Sequence, residues 1–286
     1  MSPAEMFTVL EIIKKTTEFF AAKGIESPRL NAELLIGHAL ALKRMQLYLE
    51  FERPLSELEL EKVRPLVRRR AQHEPVQYIL GETDFFGLKL KVDRRVLIPR
   101  PETEELVGHA TRAVGASAPA RILDLGTGSG AIALALAHTF PAARVVAVDR
   151  SEDALALARE NAVSTGLDGR VTFLISNWFE MLPSGTFDLV VSNPPYLTAE
   201  ETAQTSPEVR GFEPVEALTA ADDGLADLAA IISNAPRYLA PGGLLALETG
   251  VAQRERLLAL TKSAGFNRSE ARPDLTGRDR FLLAYR

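Results

Sequence analysis

From Ala120 onward the chain alternates short apolar runs with longer helical patterns, a rhythm that admits few folds. Residues 121–125, 144–148, 171–175, 187–192, 243–249, 266–272 and 280–285 read as strands. Residues 130–139, 152–165, 224–239 and 251–264 read as helices. Strands that alternate with helices build a mostly parallel sheet with helices on both faces. The run Phe187-Asp188-Leu189-Val190-Val191-Ser192 alternates little, as expected of a strand buried on both sides. In open sheets of this kind ligands bind at the carboxyl ends of the strands. The residues just after each strand are therefore the candidates for chemistry.

Ahead of this region, residues 1–75 read as a helical domain. Leu10, Ile13, Thr17 and Phe20 fall at helical spacing. Ser27-Pro28 has the pattern of an N-cap followed by Pro at the first helical position, and Leu30, Leu34, Leu35, Ala39 and Leu42 then mark an apolar face. Ser56 with Glu59 forms a capping-box pattern before Leu60, Val63, Leu66 and Val67. Pro65 inside that pattern predicts a kink or an early break. Between Tyr78 and Ile98 the period changes; Phe85, Phe86, Leu88, Leu90, Val92 and Val96, with Gly81 and Gly87, predict a β-hairpin. Pro99 and Pro101 stiffen the connector that follows, and Thr103-Glu104-Glu105 begins another helix. The expected division is 1–75 helical and substrate-recognising, 76–100 hairpin and linker, and 101–286 catalytic.

Bulk composition narrows the function classes. With 46% hydrophobic and 25% charged residues, the chain has the makeup of a soluble globular protein. A net charge of -5 argues against broad non-specific nucleic-acid binding. The absence of Cys removes disulfides, thiolate metal sites and thiol nucleophiles. His38, His73, His109 and His138 lack ligand spacing, so no metal is expected. Glu5, Glu11, Lys14 and Lys15 interrupt the start of the chain, which does not resemble a signal segment, and no stretch approaches a membrane-spanning length. A cytoplasmic monomer is the expectation. Arg68-Arg69-Arg70 at a helix end reads as a solvated terminus that suits the helix dipole, or as a patch for an acidic partner or RNA.

Four strand ends carry the chemistry. After strand 121–125 comes Gly126-Thr127-Gly128-Ser129-Gly130, where a glycine-rich turn leads into a helix. Such a turn lets backbone approach a ligand closely, and the helix N-terminus offers free N–H groups. The spacing is not that of a P-loop, and alone the loop is compatible with a simple tight turn. The next strand ends in Asp149, about 20 residues on, where a carboxylate can accept hydrogen bonds from a ribose diol. Taken together the two favour a nucleoside. Ser176-Asn177-Trp178-Phe179 follows the third strand; Asn177 could bond an adenine edge and Trp178 cover its face, or Trp178 could be core packing.

The fourth strand end is Asn193-Pro194-Pro195-Tyr196. Two prolines stop the strand, since each lacks a ladder N–H and fixes its φ. The Asn193 side-chain carbonyl then sits beside a backbone carbonyl held by the Pro195 ring, and Tyr196 adds a flat wall. Two such acceptors can grip both hydrogens of a planar –NH2 group.

The order of Gly loop, ribose acid, adenine-edge residues and Asn-Pro-Pro-Tyr resembles class I S-adenosylmethionine-dependent methyltransferases, Rossmann-like proteins with a mostly parallel seven-stranded sheet. More of the chain is similar to one branch, the release factor glutamine methyltransferases (PrmC/HemK). The similarity rests on Gln77 to Gly81, Phe86-Gly87, Leu97 to Glu104, Asp124 to Gly130, Ser192 to Tyr196, Glu213-Pro214, Ala217-Leu218, Asp223 to Leu225, Gly242-Gly243 and Gly277-Arg278. The resemblance implies methylation of the side-chain amide nitrogen of the Gln in the Gly-Gly-Gln loop of class I peptide chain release factors. It implies S-adenosyl-L-methionine held by Gly126 to Gly130, Asp149, Trp178 and Asn193. It implies a substrate clamp of Asn193, Pro194, Pro195 and Tyr196, with Asn193, Pro194 and Tyr196 catalytic. One departure is Asn177, where the family often carries Asp; Asn can still bond adenine. Pro65 is expected to alter locally the surface that meets the release factor.

The tetrapeptide also serves adenine amino-methyltransferases, and a ribosomal-protein glutamine methyltransferase is nearer still. The acidic chain lacks a basic, aromatic-interleaved recognition region, which disfavours nucleic acid. A non-catalytic cofactor-binding module is disfavoured by the intact Asn-Pro-Pro-Tyr.

Overall fold

The structure, a computed structural model, describes residues 7–115 and 118–286; Glu5, cited above against a signal segment, lies outside them. The chain forms two compact units, one of Met1–Gly81 with Ser206–Phe212, the other of Glu82–Thr205 with Glu213–Arg286.

The first unit contains α1 (Val9–Ala22), α2 (Pro28–Leu40), α3 (Arg44–Leu49), α4 (Glu57–Ala71) and α5 (Val76–Leu80). Thr8 and Glu11 close a capping box at the start of α1, and Ser56 and Glu59 close the expected one on α4. On α1 the buried face is Val9, Ile13, Thr16 and Phe20. Thr16, not Thr17, faces inward; the Thr17 hydroxyl donates to the Ile13 carbonyl at 2.7 Å instead. Pro28 opens α2, but Ser27 adopts a left-handed φ of 47° and its side chain does not cap. Asn31 Nδ2 ties down the turn that precedes the helix, donating to the carbonyls of Glu26 and Ser27.

Leu30 is exposed, and the core side of α2 carries Ala32, Leu35 and Ile36 together with fully buried Glu33. A pattern of apolar residues alone misses this face, because Arg29, Arg44 and Tyr48 make the Glu33 carboxylate compatible with burial. The early break at Pro65 does not occur. Pro65 is exposed and costs one ladder bond, while the capping box and the burial of Leu60, Val63 and Arg70 hold the helix on both sides of it. The basic run is not a uniformly solvated terminus either. Arg70 is buried, donates to Asn31 Oδ1 at 2.7 Å and to the Glu74 carbonyl, and pairs with Glu208, while Arg69 pairs with Glu74.

The second unit opens with the antiparallel hairpin β1 (Glu82–Phe85) and β2 (Leu88–Lys91), then α6 (Pro101–Val114). It continues with β3 (Arg121–Leu125), α7 (Ala131–Thr139), β4 (Arg144–Asp149), α8 (Glu152–Ser164), β5 (Val171–Ile175) and β6 (Phe187–Ser192). The short helices α9 (Ala199–Gln204) and α10 (Pro207–Phe212) follow, α10 falling within the first unit. The short turn α11 (Ala221–Gly224), α12 (Ala226–Tyr238), β7 (Leu239–Glu248), α13 (Arg254–Ser263), β8 (Arg268–Pro273) and β9 (Asp279–Tyr285) complete it.

The seven-stranded sheet runs β5-β4-β3-β6-β7-β9-β8, parallel except that β9 is antiparallel to both neighbours. Two apolar layers bury its faces. Leu106, Ile132, Leu136 and Val145 lie in one; Leu123, Val190, Ile231 and Leu247 lie in the other. Strand β7 pairs from Leu239, earlier than the glycine pair suggests. Its register with β6 jumps from Phe187↔Leu239 to Leu189↔Leu244, so Pro241-Gly242-Gly243 forms an irregularity within the strand. Strand order reverses between β3 and β6, since β4 and β5 continue to one side of β3 and β7 to the other. The crevice above that reversal is where a ligand site belongs.

Candidate active site

Strands β3 and β6 end side by side, with Leu125 opposite Ser192 in register. The Ser192 hydroxyl donates to the Leu125 carbonyl at 2.7 Å. That bond ties the root of the glycine loop to the root of Asn193-Pro194-Pro195-Tyr196.

A cavity of about 390 Å³ opens over these strand ends, within the usual size range of small-molecule sites. Gly126, Thr127, Gly128, Ser129, Asp149, Asn177, Trp178, Asn193 and Pro195 line it. Gly130 does not line it. With φ at 83°, it caps α7, and a Cβ there would press on Ala158 and Leu134 at 3.3 Å, so this glycine serves helix packing. Pro194 is buried, and Tyr196 lines a smaller adjoining pocket shared with Asn193, Leu97, Arg100 and Ala217.

The glycine loop is built around two carboxylates. Asp124, wholly buried at the end of β3, accepts from the Thr127 hydroxyl at 2.6 Å and from the Ala133 N–H at 3.1 Å. Burial pushes its carboxyl up to about 7, against the pull of those two hydrogen bonds. Asp149 ends β4. One of its oxygens accepts from the Gly128 N–H and the other from the Ser151 N–H, both at 2.9 Å. Each oxygen retains a lone-pair direction for a further donor. Trp178 has a φ of 50° and donates its indole N–H to Asp227 at 3.2 Å. A Cβ at Gly126 would lie 3.2 Å from the Trp178 ring, so only glycine lets the loop pass this close. The exposed Asn177 donates to Glu180 at 2.9 Å while lining the cavity.

At Asn193 the structure adds partners that sequence reasoning did not name. Its Nδ2 donates to Thr103 Oγ1 at 3.0 Å, and Thr103 donates to Glu248 at 2.7 Å. The Tyr196 hydroxyl donates to the other Glu248 oxygen at 3.0 Å and accepts from Arg280 at 2.6 Å. The Arg280 guanidinium also lies 4.7 Å over the Tyr196 ring. Burial pushes the Tyr196 hydroxyl up from its ordinary value, with Glu248 adding to the shift. Burial likewise raises the Glu248 carboxyl, opposed by Thr103, Arg280 and Tyr196. Arg100 pairs with buried Glu213 at 2.6 Å, which fixes the proline-rich connector beside the cavity. Thr103 and Glu213 lie in segments that carry the family resemblance, which was the available clue to them. Glu248, Arg280 and Asp227 lack a comparable local signature.

Comparison with known proteins agrees over both units. Residues 11–81 match the PrmC N-terminal domain and residues 117–274 a methyltransferase domain. The release factor glutamine methyltransferase of Chlorobaculum tepidum is 47% identical, over 90% of this chain and 92% of its own. That of Geobacter sulfurreducens is 44% identical, over 97% of this chain and 96% of its own. Among solved structures, the hMettl16 catalytic domain bound to a MAT2A 3'UTR hairpin superposes with a TM-score of 0.56 at 18% identity, over 77% of this chain and 81% of its own. A Pyrococcus furiosus methyltransferase gives 0.51 at 20%, over 70% of this chain and 89% of its own. These two likenesses establish the fold, class I methyltransferase, while the curated relatives establish the branch. The chain belongs to the release factor glutamine methyltransferase family.

Proposed function

We propose that this protein methylates the side-chain amide nitrogen of the Gln in the Gly-Gly-Gln motif of class I peptide chain release factors, with S-adenosyl-L-methionine as donor. The observation that carries the reading is the orientation of Asn193. Its Nδ2 is engaged by Thr103, so its Oδ1 is the end left to accept from a substrate –NH2.

The residues present fit the donor. Gly126 leaves under Trp178 a space that a Cβ would fill, Asp149 keeps acceptor capacity for a ribose diol, and the cavity spans both. We assign Gly126, Thr127, Gly128, Ser129, Asp149, Trp178 and Asn193 to holding it, with Gly130 shaping the loop from behind. When bound, the cofactor supplies an electrophilic methyl group on a sulfonium.

The remaining work belongs to the chain. An amide nitrogen is a weak nucleophile because its lone pair is shared with the carbonyl. Asn193 Oδ1 and the Pro194 carbonyl accept its two N–H bonds, orient it and stabilise positive charge as it develops. Pro195 fixes the turn, and Tyr196 closes the clamp and excludes water. No carboxylate base is required, since an N-methylated amide cation sheds its proton readily.

The helical N-terminal domain is the part we assign to recognising the release factor. Support comes from Met45, Leu49 and Leu58, apolar side chains left 75%, 87% and 73% exposed. No helix among the described residues is long and apolar enough to cross a membrane. The reading places the protein in the cytoplasm, acting as a monomer on a protein partner.

Tritiated-methyl transfer to a purified class I release factor, run beside its Gly-Gly-Gln Gln→Ala variant, tests the reading. Label on the wild-type factor alone supports it. Label on neither, with cofactor bound, turns the assignment towards a ribosomal protein or nucleic acid.

A further inference from the structure

We propose that Glu248 is a positioning residue for the transfer, setting through Thr103 which end of the Asn193 amide faces the substrate and through Tyr196 the wall beside it. This rests on the reading of Asn193 as an amide clamp.

The two ends of an Asn amide have nearly the same shape and opposite hydrogen-bonding sense. A flipped Asn193 would set its own –NH2 against the substrate's –NH2, donor against donor. Whatever selects the orientation therefore decides whether the clamp can close. Packing selects poorly between isosteric ends, so the choice falls to hydrogen-bond direction.

The directions follow from the two charged groups, the Arg280 guanidinium and the Glu248 carboxylate it faces. Arg280 is a permanent cation with only donors, and its guanidinium donates to the Tyr196 oxygen at 2.6 Å. Tyr196 must then spend its one proton on Glu248, at 3.0 Å. Thr103 spends its one proton on the other Glu248 oxygen, at 2.7 Å. A hydroxyl that has given away its proton can only accept, so Thr103 takes the Asn193 N–H at 3.0 Å. Glu248 is 1% exposed, and the Arg280 guanidinium lies 3.8 Å from it, a counter-charge for a carboxylate removed from water. The parts come from four places in the second unit: the first turn of α6, the end of β6, the end of β7 and the start of β9. Only an acceptor-only group at position 248 satisfies both hydroxyls.

Glu248→Gln keeps the shape and replaces one acceptor oxygen by a donor, so one of the two hydroxyls loses its partner. Thr103→Val removes the middle of the relay at constant volume, and Thr103→Ser keeps its hydroxyl. Three readouts are taken: kcat with release factor, the cofactor Kd by calorimetry, and the side-chain amide resonances of Asn193 in labelled protein. Both disrupting variants are expected to lower kcat by about 10- to 100-fold, the scale of a misaligned reactive group. Cofactor Kd moves by less than about threefold, and Thr103→Ser recovers the turnover lost in Thr103→Val. The double variant Glu248→Gln/Thr103→Val is no slower than the worse single one, as expected of residues acting in one chain. The Asn193 resonances shift in both single variants. Additive losses, unmoved Asn193 resonances, or a Kd that worsens in step with kcat would each overturn the proposal. A wild-type protein that labels no release factor overturns the functional reading instead, and the Asn193 resonances then still decide whether the relay exists.

Discussion

Asn193 and Thr103, 90 residues apart, meet through a 3.0 Å hydrogen bond from the Asn193 amide to the Thr103 hydroxyl. The contact joins the end of a central strand to the first turn of α6, and it gives the Pro-Arg-Pro-Glu-Thr-Glu segment a task. Pro101 starts the helix, and the Thr two residues on is delivered to Asn193.

Asn193→Ala removes the acceptor without touching the glycine loop. Turnover with release factor should fall by about 100-fold or more, the scale seen when one oriented transition-state partner is lost. Cofactor affinity measured by calorimetry should fall far less, by under about tenfold, because the glycine loop, Asp149 and Trp178 remain in place. Normal turnover would rule out the clamp.

Asp149→Ala removes the acceptor shared by the Gly128 and Ser151 N–H groups. With Asp149 holding the loop and, as proposed, the cofactor ribose, its loss should raise the cofactor Kd by about 10- to 100-fold, equivalent to roughly 1.4 to 2.8 kcal/mol. Titration calorimetry reads this directly, and an unchanged Kd would exclude Asp149 from the site.

Gly224 holds φ at 77°, and a Cβ there would collide with the Tyr196 carbonyl oxygen. Gly224→Ala should destabilise the protein by about 1–3 kcal/mol, as strained backbone does. It should also slow turnover by displacing Tyr196. Urea denaturation and initial rates check the two effects separately.

Asp124 links stability to pH. Its carboxyl, ordinarily near 3.8, is pushed up to about 7 by burial. Between those values the folded state binds more protons than the unfolded one, so this group makes stability fall as pH rises from about 4 through 7. Asp124→Asn should flatten that slope in urea denaturation curves collected from pH 5 to pH 8. Parallel wild-type and mutant profiles would show that Asp124 titrates normally.

Glu33 anchors the helical unit by accepting from Arg29, Arg44 and Tyr48 while fully buried. Glu33→Ala should cost about 2 kcal/mol or more, because it leaves a buried cavity and unpairs three donors. The midpoint of chemical denaturation measures the loss; a shift within error would mean the arginines re-solvate freely.

Much of this protein is written in short-range pattern. The apolar runs around Leu123, Val146 and Val190 specify buried parallel strands, because a strand covered on both faces tolerates little else. That the glycines at 126 and 128, Asp149 and Asn193 gather at one cavity was legible because each lies at or just past the end of its strand, and strand ends are where such a sheet binds ligands. Face assignments were less legible. Burial of Glu33 and Arg70 depends on partners 15 and 39 residues away, Tyr48 and Asn31, which no local periodicity encodes. The early break expected at Pro65 fails for a related reason, since a single missing N–H is a small loss when capping and core contacts hold the rest of the helix. Only the tertiary structure decided that Thr103, Glu248, Tyr196 and Arg280 share one hydrogen-bonded chain with Asn193. Local pattern marks which segments are strands and helices and where they end, whereas the direction of a hydrogen bond depends on which distant donor the fold brings to each acceptor.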